Sequence, residues 1–375
     1  MNVNQAKDLV QREALNSWHS SNYRGVLELA TGSGKTRIGI MAASYLAKKA
    51  EYDYTILIVV PTTVIKDEWE VEFKKWKESK TFNLCVQVEC INTARTFNNV
   101  QFDLLILDET HRYLSGEINL KLLRNNKFDK ILGLSGTIEN NLLEELNKWA
   151  PICYSLNLYD AVEMGIVSDF TVYNIPVELT APERAKYITL SGKIAYLWEN
   201  FNRQDWKNIT QRKNILYHAS AKMKMLQKVL KIFDESDYGI IFSMDKKYAD
   251  KVSKKIGDTC VAQHSGLKKK DRVEGLKKFA DGRNKINKIS AVTVLDEGAN
   301  LKRLSYAIMM SNSSKGRQML QRLGRICRLK PDGSSAILIR IYCKNTKEED
   351  WLESSQSKLK VVNVENLNQL RKLIN

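Results

Sequence analysis

Three short runs in this 375-residue chain have the residue types and spacing for phosphate chemistry. The first is Ala30-Thr31-Gly32-Ser33-Gly34-Lys35-Thr36. Glycines there let backbone N–H groups of Thr31, Gly32, Ser33 and Gly34 curl around phosphate oxygens, and a helix starting behind them adds the positive end of its dipole. Lys35 has the reach for β- and γ-phosphates, and the Thr36 hydroxyl suits Mg²⁺. The longer form of such a loop carries a further Gly where this chain has Leu29, so only its T-G-x-G-K-T half is present. A dinucleotide-type loop is excluded locally, because Arg37 occupies the place of its third Gly. The second run, Leu104-Leu105-Ile106-Leu107-Asp108-Glu109-Thr110-His111, is an apolar strand ending in two acids. Asp108 is suited to a metal ion held through water, and Glu109 to orienting and deprotonating an attacking water. The third, Gln318–Arg328, spaces Arg325 and Arg328 at i, i+3 on one helix face. Guanidinium forks match phosphate oxygens and stay charged, and an arginine finger of this kind is worth roughly 10³–10⁵ in rate.

Lesser signals accompany these. Gln11 lies 21 residues before Gly32, and its amide offers the donor and acceptor that adenine's edge requires. Ser135-Gly136-Thr137 closes the apolar run Ile131–Leu134 and, beside two acids, could couple phosphate state to domain position. Gly298 follows the run Ala291–Leu295 and two acids, where a missing Cβ permits close backbone approach to a ligand. His264-Ser265-Gly266 precedes Leu267-Lys268-Lys269-Lys270, whose amides and lysines suit a nucleic-acid backbone; a plain solvated face fits the lysines nearly as well.

Positioning such groups requires strands that end together. Apolar runs at Arg24–Leu29, Thr55–Val60, Leu84–Val88, Asp103–Leu107 and Ile131–Ser135 alternate with amphipathic stretches such as Arg37–Lys49 and Val64–Trp76. Continuous apolar strands separated by helices imply an α/β fold, a parallel sheet with helices on both faces, with ligands at the carboxyl edge. The pattern resumes at Gly239–Ser243, Thr259–Ala262, Ile289–Val294, Tyr306–Ser311 and Ala336–Tyr342. Between these halves a strand-like Phe170–Val177 leads into one long polar-aromatic helical stretch, Pro182–Phe233. The chain therefore divides into a first domain over 1–160 and a second over 161–375, the latter including a crossover region over 161–235. The tail 345–375 reads as one terminal helical segment.

Composition narrows the partners. Residues 1–160 carry 19 Lys+Arg against 20 Asp+Glu, whereas residues 161–375 carry 40 against 23, which makes the second half the seat of the +16 net charge. Basicity confined to one half points to a polyanion. The run of 18 apolar residues that a membrane helix needs is missing, and Met1-Asn2-Val3-Asn4-Gln5 has neither the basic nor the apolar region of a secretion signal. A cytoplasmic setting is expected. The six scattered cysteines lack a C-x-x-C pair and read as reduced, mostly buried small hydrophobes without a zinc site.

Taken in order, these motifs resemble the superfamily 2 helicases, in particular the DExH-type restriction-helicase branch that includes phage UvsW-like enzymes. The resemblance spans nearly the whole chain. Gln11 corresponds to the adenine-reading glutamine, Thr31–Thr36 to motif I, Pro61-Thr62-Thr63 to motif Ia and Asp108–His111 to motif II. Ser135–Thr137 corresponds to motif III, Ile241-Phe242-Ser243 to motif IV, Thr293–Gly298 to motif V and Gln321–Arg328 to motif VI. Thr110 departs from the Ala or Cys usual in the acidic box. The resemblance implies two RecA-like domains, ATP and Mg²⁺ as cofactors, and single-stranded nucleic acid as partner. It implies coupling through His111, Ser135, Thr137 and Gln321, and strand contacts from Thr62, Thr63, Arg95, His264, Lys268 and Lys269. DNA, often branched or forked, is the substrate such relatives imply, with work in recombination, repair or replication; RNA is the alternative. A translocase subunit of a nuclease complex that separates no strands is another, and a binding protein with a dead ATP site is disfavoured by the intact Lys35, Asp108, Glu109, Arg325 and Arg328. The near-bare core fits a monomer in bacterial or phage-infected cytoplasm.

Overall fold

The structure, a computed structural model, describes residues 3–30, 32–75, 83–114, 117–136, 138, 140–167, 169–281, 285–292, 304–312, 335–354 and 360–374. It divides into two compact units, Met1–Val167 and a second that begins at Ser168.

Unit 1 is built on strands β1 (Arg24–Leu29), β2 (Tyr54–Val60), β3 (Leu84–Cys90), β4 (Gln101–Asp108), β5 (Lys127–Ser135) and β6 (Ile152–Leu156). They form one parallel sheet in the order β3-β2-β4-β5-β1-β6. Central strands β2, β4 and β5 are buried over their last five residues, as strands covered on both faces must be. Edge strand β3 exposes Cys85, Val86 and Gln87. Helix α1 (Val3–Ser20) buries Ala6, Val10, Ala14 and Trp18, one residue per turn at i+4 spacing, along one stripe. Trp18 ends that stripe, and its indole N–H donates to the Ile131 carbonyl at 2.8 Å, fastening α1 to β5. Helices α2 (Lys35–Lys49) and α3 (Thr63–Lys75) each follow a strand directly, and each puts its first residue at the sheet's carboxyl edge.

Unit 2 contains β7 (Phe170–Val177), β8 (Tyr238–Phe242), β9 (Cys260–Gln263), β10 (Lys288–Ala291), β11 (Leu304–Met309), β12 (Ala336–Cys343) and β13 (Val361–Asn363). Its sheet is also parallel, in the order β13-β7-β12-β11-β8-β10-β9. Both units have helices on both faces of a parallel sheet, the RecA-like arrangement. Thr293 and Val294, the end of one expected strand, lie outside the described residues.

Three sequence expectations need correction. Beyond the short unit 1 helices α4 (Ile91–Ala94), α5 (Glu117–Arg124), α6 (Leu143–Asn147) and α7 (Leu158–Glu163), the stretch Pro182–Phe233 is three helices, α8 (Ala181–Phe201), α9 (Trp206–Tyr217) and α10 (Ser220–Leu230). Asn202 in the left-handed region at φ 46° closes α8, and the Asp205 carboxylate then caps α9 by accepting from the Asn208 N–H. The tail is not one helix either. It runs helix Lys347–Ser354, strand β13 and helix Leu367–Ile374, because β-branched Val361 and Val362 pair with β7 at Val172 and Tyr173. Nor are the cysteines mostly buried. Of the five described, all free, only Cys260 and Cys343 are buried. Among the described residues no helix is long and apolar enough to cross a membrane.

Candidate nucleotide site

At the carboxyl edge of unit 1's sheet the loop after β1 and the end of β4 supply the polar groups. Gly32 and Gly34 take φ of +93° and +89°, a left-handed backbone that L side chains rarely adopt. Gly34 is the N-cap of α2, so the loop's amides and the helix start share one point. Lys35 Nζ donates to the Leu29 carbonyl at 3.3 Å, folding the lysine back over its own loop. The Gln11 side chain is buried on α1, and its Nε2 donates to the Ser33 carbonyl at 2.9 Å. An open cleft of about 700 Å³ beside it is lined by Asp8, Gln11, Gly34, Thr36 and Arg37, with Arg37 paired to Asp8 at 2.6 Å.

Strand β4 delivers Asp108 into the interior, where three donors or cations manage its charge. Trp69 Nε1 on α3 donates to Oδ2 at 2.9 Å, and the Glu109 N–H donates to Oδ1 at 3.0 Å. Burial, with Glu109 as a second acid beside it, outweighs these bonds and the nearby Lys35, pushing the Asp108 carboxyl up to about 6. Glu109 itself sits at φ 54°, ψ 53°, a left-handed backbone for a non-glycine residue. Such a conformation costs about 1–3 kcal/mol and persists only where surrounding contacts fix it. Those contacts are visible. Thr110 Oγ1 donates to the Leu107 and Leu134 carbonyls, and the Tyr113 hydroxyl donates to the Asp108 carbonyl at 2.7 Å. Thr110 therefore stands in the acidic box for a reason: its hydroxyl staples the turn to β5.

His111 Nδ1 lies 3.0 Å from Ser135 Oγ and 3.5 Å from Glu109 Oε2. Gln11 Oε1, Ser33 Oγ and Glu109 Oε2 are buried without a hydrogen-bond partner among the described residues. Three orphaned polar atoms around one loop are what a site for a phosphate-bearing ligand and its hydrated metal presents.

Unit 1 thus brings together Gln11, Gly32, Ser33, Gly34, Lys35, Thr36, Asp108, Glu109, His111 and Ser135. Thr63 begins α3 and is exposed, and Thr62 just before it is half-buried, its Oγ1 accepting from the Ile65 N–H at 3.4 Å. Arg95 is half-buried at the end of the short helix Ile91–Ala94. In unit 2, Lys268 and Lys269 are exposed, the first just before and the second at the start of the helix Lys269–Asp281. His264 is buried, with Nε2 2.8 Å from Asp250 Oδ1 and Nδ1 accepting from the Gly266 N–H at 3.2 Å. Both its ring nitrogens are engaged internally. Thr31, Thr137, Gly298, Gln321, Arg325 and Arg328 lie outside the described residues. Trp69 is the residue that sequence reasoning missed. It sat unremarked in the amphipathic run Val64–Trp76, and only the fold reveals a buried N–H on the acid of β4.

Comparison with known proteins places this geometry. Residues 5–140 match the family model of the type III restriction enzyme res subunit, and residues 221–330 match the helicase conserved C-terminal domain. The two models together match about two thirds of the chain and indicate a helicase of superfamily 2. It is 26% identical to the DNA 3'-5' translocase XPB2 of Sulfurisphaera tokodaii, over 90% of this chain and 82% of that one. It is 23% identical to the general transcription and DNA repair factor IIH helicase/translocase subunit XPB of Drosophila melanogaster, over 89% of this chain and 42% of that one. The helicase therefore spans most of the archaeal relative and less than half of the fly one. Among solved structures, the S. cerevisiae Dbp5 bound to RNA and ADP BeF3 superposes with a TM-score of 0.66 at 15% identity, covering 97% of this chain and 92% of that one, a likeness of fold. The helicase is an enzyme of the ATP-dependent helicase and translocase class.

Proposed function

We propose that this helicase is an ATP-driven motor on DNA, acting on branched or forked substrates in recombination, repair or replication, in the restriction-helicase, UvsW-like manner. The reading rests on one observation above others: Lys35, Thr36, Asp108 and Glu109 share one carboxyl edge, with Asp108 anchored by Trp69 and the turn at Glu109 held in a strained backbone. Lys35 and the loop amides would hold the phosphates of ATP, and Thr36 with Asp108 would hold Mg²⁺. Bound there, the metal neutralises developing phosphate charge. Glu109 would orient and deprotonate the water, Gln11 would read the base from the cleft beside Ser33, and His111 with Ser135 would carry the change of state toward Thr137. Arg325 and Arg328, with Gln321 and Gly298, would complete the nucleotide site.

DNA is chosen over RNA because the relatives that match along most of this chain are named for DNA. Thr62, Thr63, Arg95, Lys268, Lys269 and His264 would lie along the strand, His264 through its loop since its ring is engaged. The second domain's excess of positive charge supports a polyanion partner, bound by a monomer. Translocation without strand separation is a second reading, supported by the archaeal relative's name.

The test is ATP turnover measured side by side with single-stranded, duplex, forked and four-way DNA, and with RNA. Stimulation greatest on forked or four-way DNA is the expected result. Stimulation by RNA alone would overturn the DNA reading. Strand displacement separates the two motor readings: stimulated turnover without displaced strand would leave the translocase.

A further inference from the structure

Glu28 is a half-buried acid near the carboxyl end of β1, one residue before the phosphate loop's leading Leu29, and nothing in the nucleotide chemistry above uses it. Its two oxygens are both engaged. Oε1 accepts from the Ile138 N–H at 2.8 Å, and Oε2 accepts from the Ser155 hydroxyl at 2.9 Å. In the sheet Glu28 is in register with Ser135 of β5 on one side and Ser155 of β6 on the other. Ile138 is thereby fixed twice. Its side chain is buried in the same core cluster as Val26, two residues before Glu28 on the same strand face, and its backbone N–H is held by the carboxylate.

From this we infer that Glu28 is a positioning residue that braces Ile138, and with it the end of β5 at Ser135, against the strand carrying the phosphate loop. The end of β5 is held from two further directions. Thr110 Oγ1 donates to the Leu134 carbonyl, and His111 Nδ1 meets Ser135 Oγ at 3.0 Å. The acidic box thus grips Leu134 and Ser135 while the phosphate-loop strand grips Ile138. A movement of Lys35's loop along β1 and a movement of Glu109's turn along β4 are both transmitted to one short segment. An apolar residue at position 28 would keep the strand and lose the grip on Ile138. The inference rests on the motor reading, in which Ser135 relays nucleotide state.

The test uses the full chain with Glu28→Leu, Glu28→Gln and Ser155→Ala. Glutamine retains a carbonyl for the Ile138 N–H, and its amide can donate to Ser155 Oγ, so it is the conservative variant. Read together are ATP KM, unstimulated turnover, turnover with a forty-nucleotide oligo-dT, and amide exchange at Ile138. Removing a charged acceptor from a buried N–H should speed Ile138 exchange and cut the ratio of stimulated to unstimulated turnover, each by about tenfold or more, in Glu28→Leu. KM and unstimulated turnover should stay within about twofold, because no ground-state contact to nucleotide is removed. Glu28→Gln should restore both readouts, and Ser155→Ala should leave Ile138 exchange slow. If Ile138 exchange in Glu28→Leu matches the unsubstituted chain, the brace does not exist. A Glu28→Leu chain with raised KM and equal losses in both turnovers would also overturn it, placing Glu28 in the nucleotide site or the fold alone. Absence of any stimulation of the unsubstituted chain by DNA and RNA would instead refute the motor reading, and the coupling role with it.

Discussion

Asp108 offers a quantitative check on the proposed site, because its proton would compete with a bound metal for the same carboxylate. Its folded-state value of about 6 lies above the ordinary 3.8, so the folded chain holds this proton more tightly than the unfolded chain does. The sign follows: on this group's account stability falls as pH rises from 3.8 toward 6, and the cost is fully present above that window. A shift of about two units at about 1.4 kcal/mol each makes the ionised, metal-free carboxylate cost about 3 kcal/mol near neutral pH, of which about half is already present at pH 5. Asp108→Asn removes the titration. The amide offers one acceptor to two donors, the Trp69 and Glu109 N–H groups, and the mismatch subtracts about 1–3 kcal/mol at every pH. The intercept is therefore ambiguous and the slope is not. Native-state amide exchange of Leu104–Leu107, measured without metal or nucleotide, should show Asp108→Asn gaining on the parent by about 1 kcal/mol between pH 5 and pH 7. Parallel pH profiles for the two chains would refute the buried-acid account. Metal-dependent nucleotide binding should weaken in the parent below pH 6, by up to about tenfold per pH unit, as the proton displaces the metal.

Other consequences can be tested alongside. Gly39→Ala would drive a methyl group to 2.5 Å from the Trp69 ring, and the ring carries Asp108, so nucleotide turnover should fall more than the melting temperature predicts; equal turnover would break the link. Gly133→Ala meets Val26 Cγ2 at 2.6 Å and Thr110 Oγ1 at 2.8 Å, and should destabilise unit 1 by about 1–3 kcal/mol in urea unfolding, with Thr110→Ala relieving only part. Lys222→Met strands the Glu348 carboxylate, with both groups fully buried and 2.8 Å apart, and should cost unit 2 about 3–5 kcal/mol; a double Lys222→Met, Glu348→Leu chain should recover most of it. Gln11→Ala should flatten the preference for ATP over GTP in competition binding while leaving the triphosphate requirement intact.

The parts of this fold that sequence reasoning located are those for which one strand suffices to state the need. A central parallel strand is covered on both faces, so Val26-Leu27, Ile56–Val60 and Leu104–Leu107 had to be apolar without interruption. Edge strands carry a weaker demand. β6 reads Ile152-Cys153-Tyr154-Ser155-Leu156 with four residues only half-buried or exposed, and β13 is three residues long, so both escaped. The break of Pro182–Phe233 into three helices depended on Asn202 accepting a left-handed backbone and Asp205 finding Asn208, local chemistry that a polar-aromatic run conceals.

The site divides along the same line. Phosphate and metal would impose their own residue types, which is why Gly34, Lys35, Thr36, Asp108 and Glu109 could be named as candidates from the letters alone. The groups that hold these in place answer to no such type. Trp69 reaches Asp108 across 39 residues, Glu28 reaches Ile138 across 110, and Thr110 reaches Leu134 across 24, each by a tertiary approach rather than a spacing. A tryptophan, a glutamate and a threonine in those roles could each be replaced by another donor or acceptor of similar reach. Their identity is therefore set by the packing around them. It follows that substitutions at the supporting residues should separate binding from coupling, whereas substitutions at the legible ones should abolish both together.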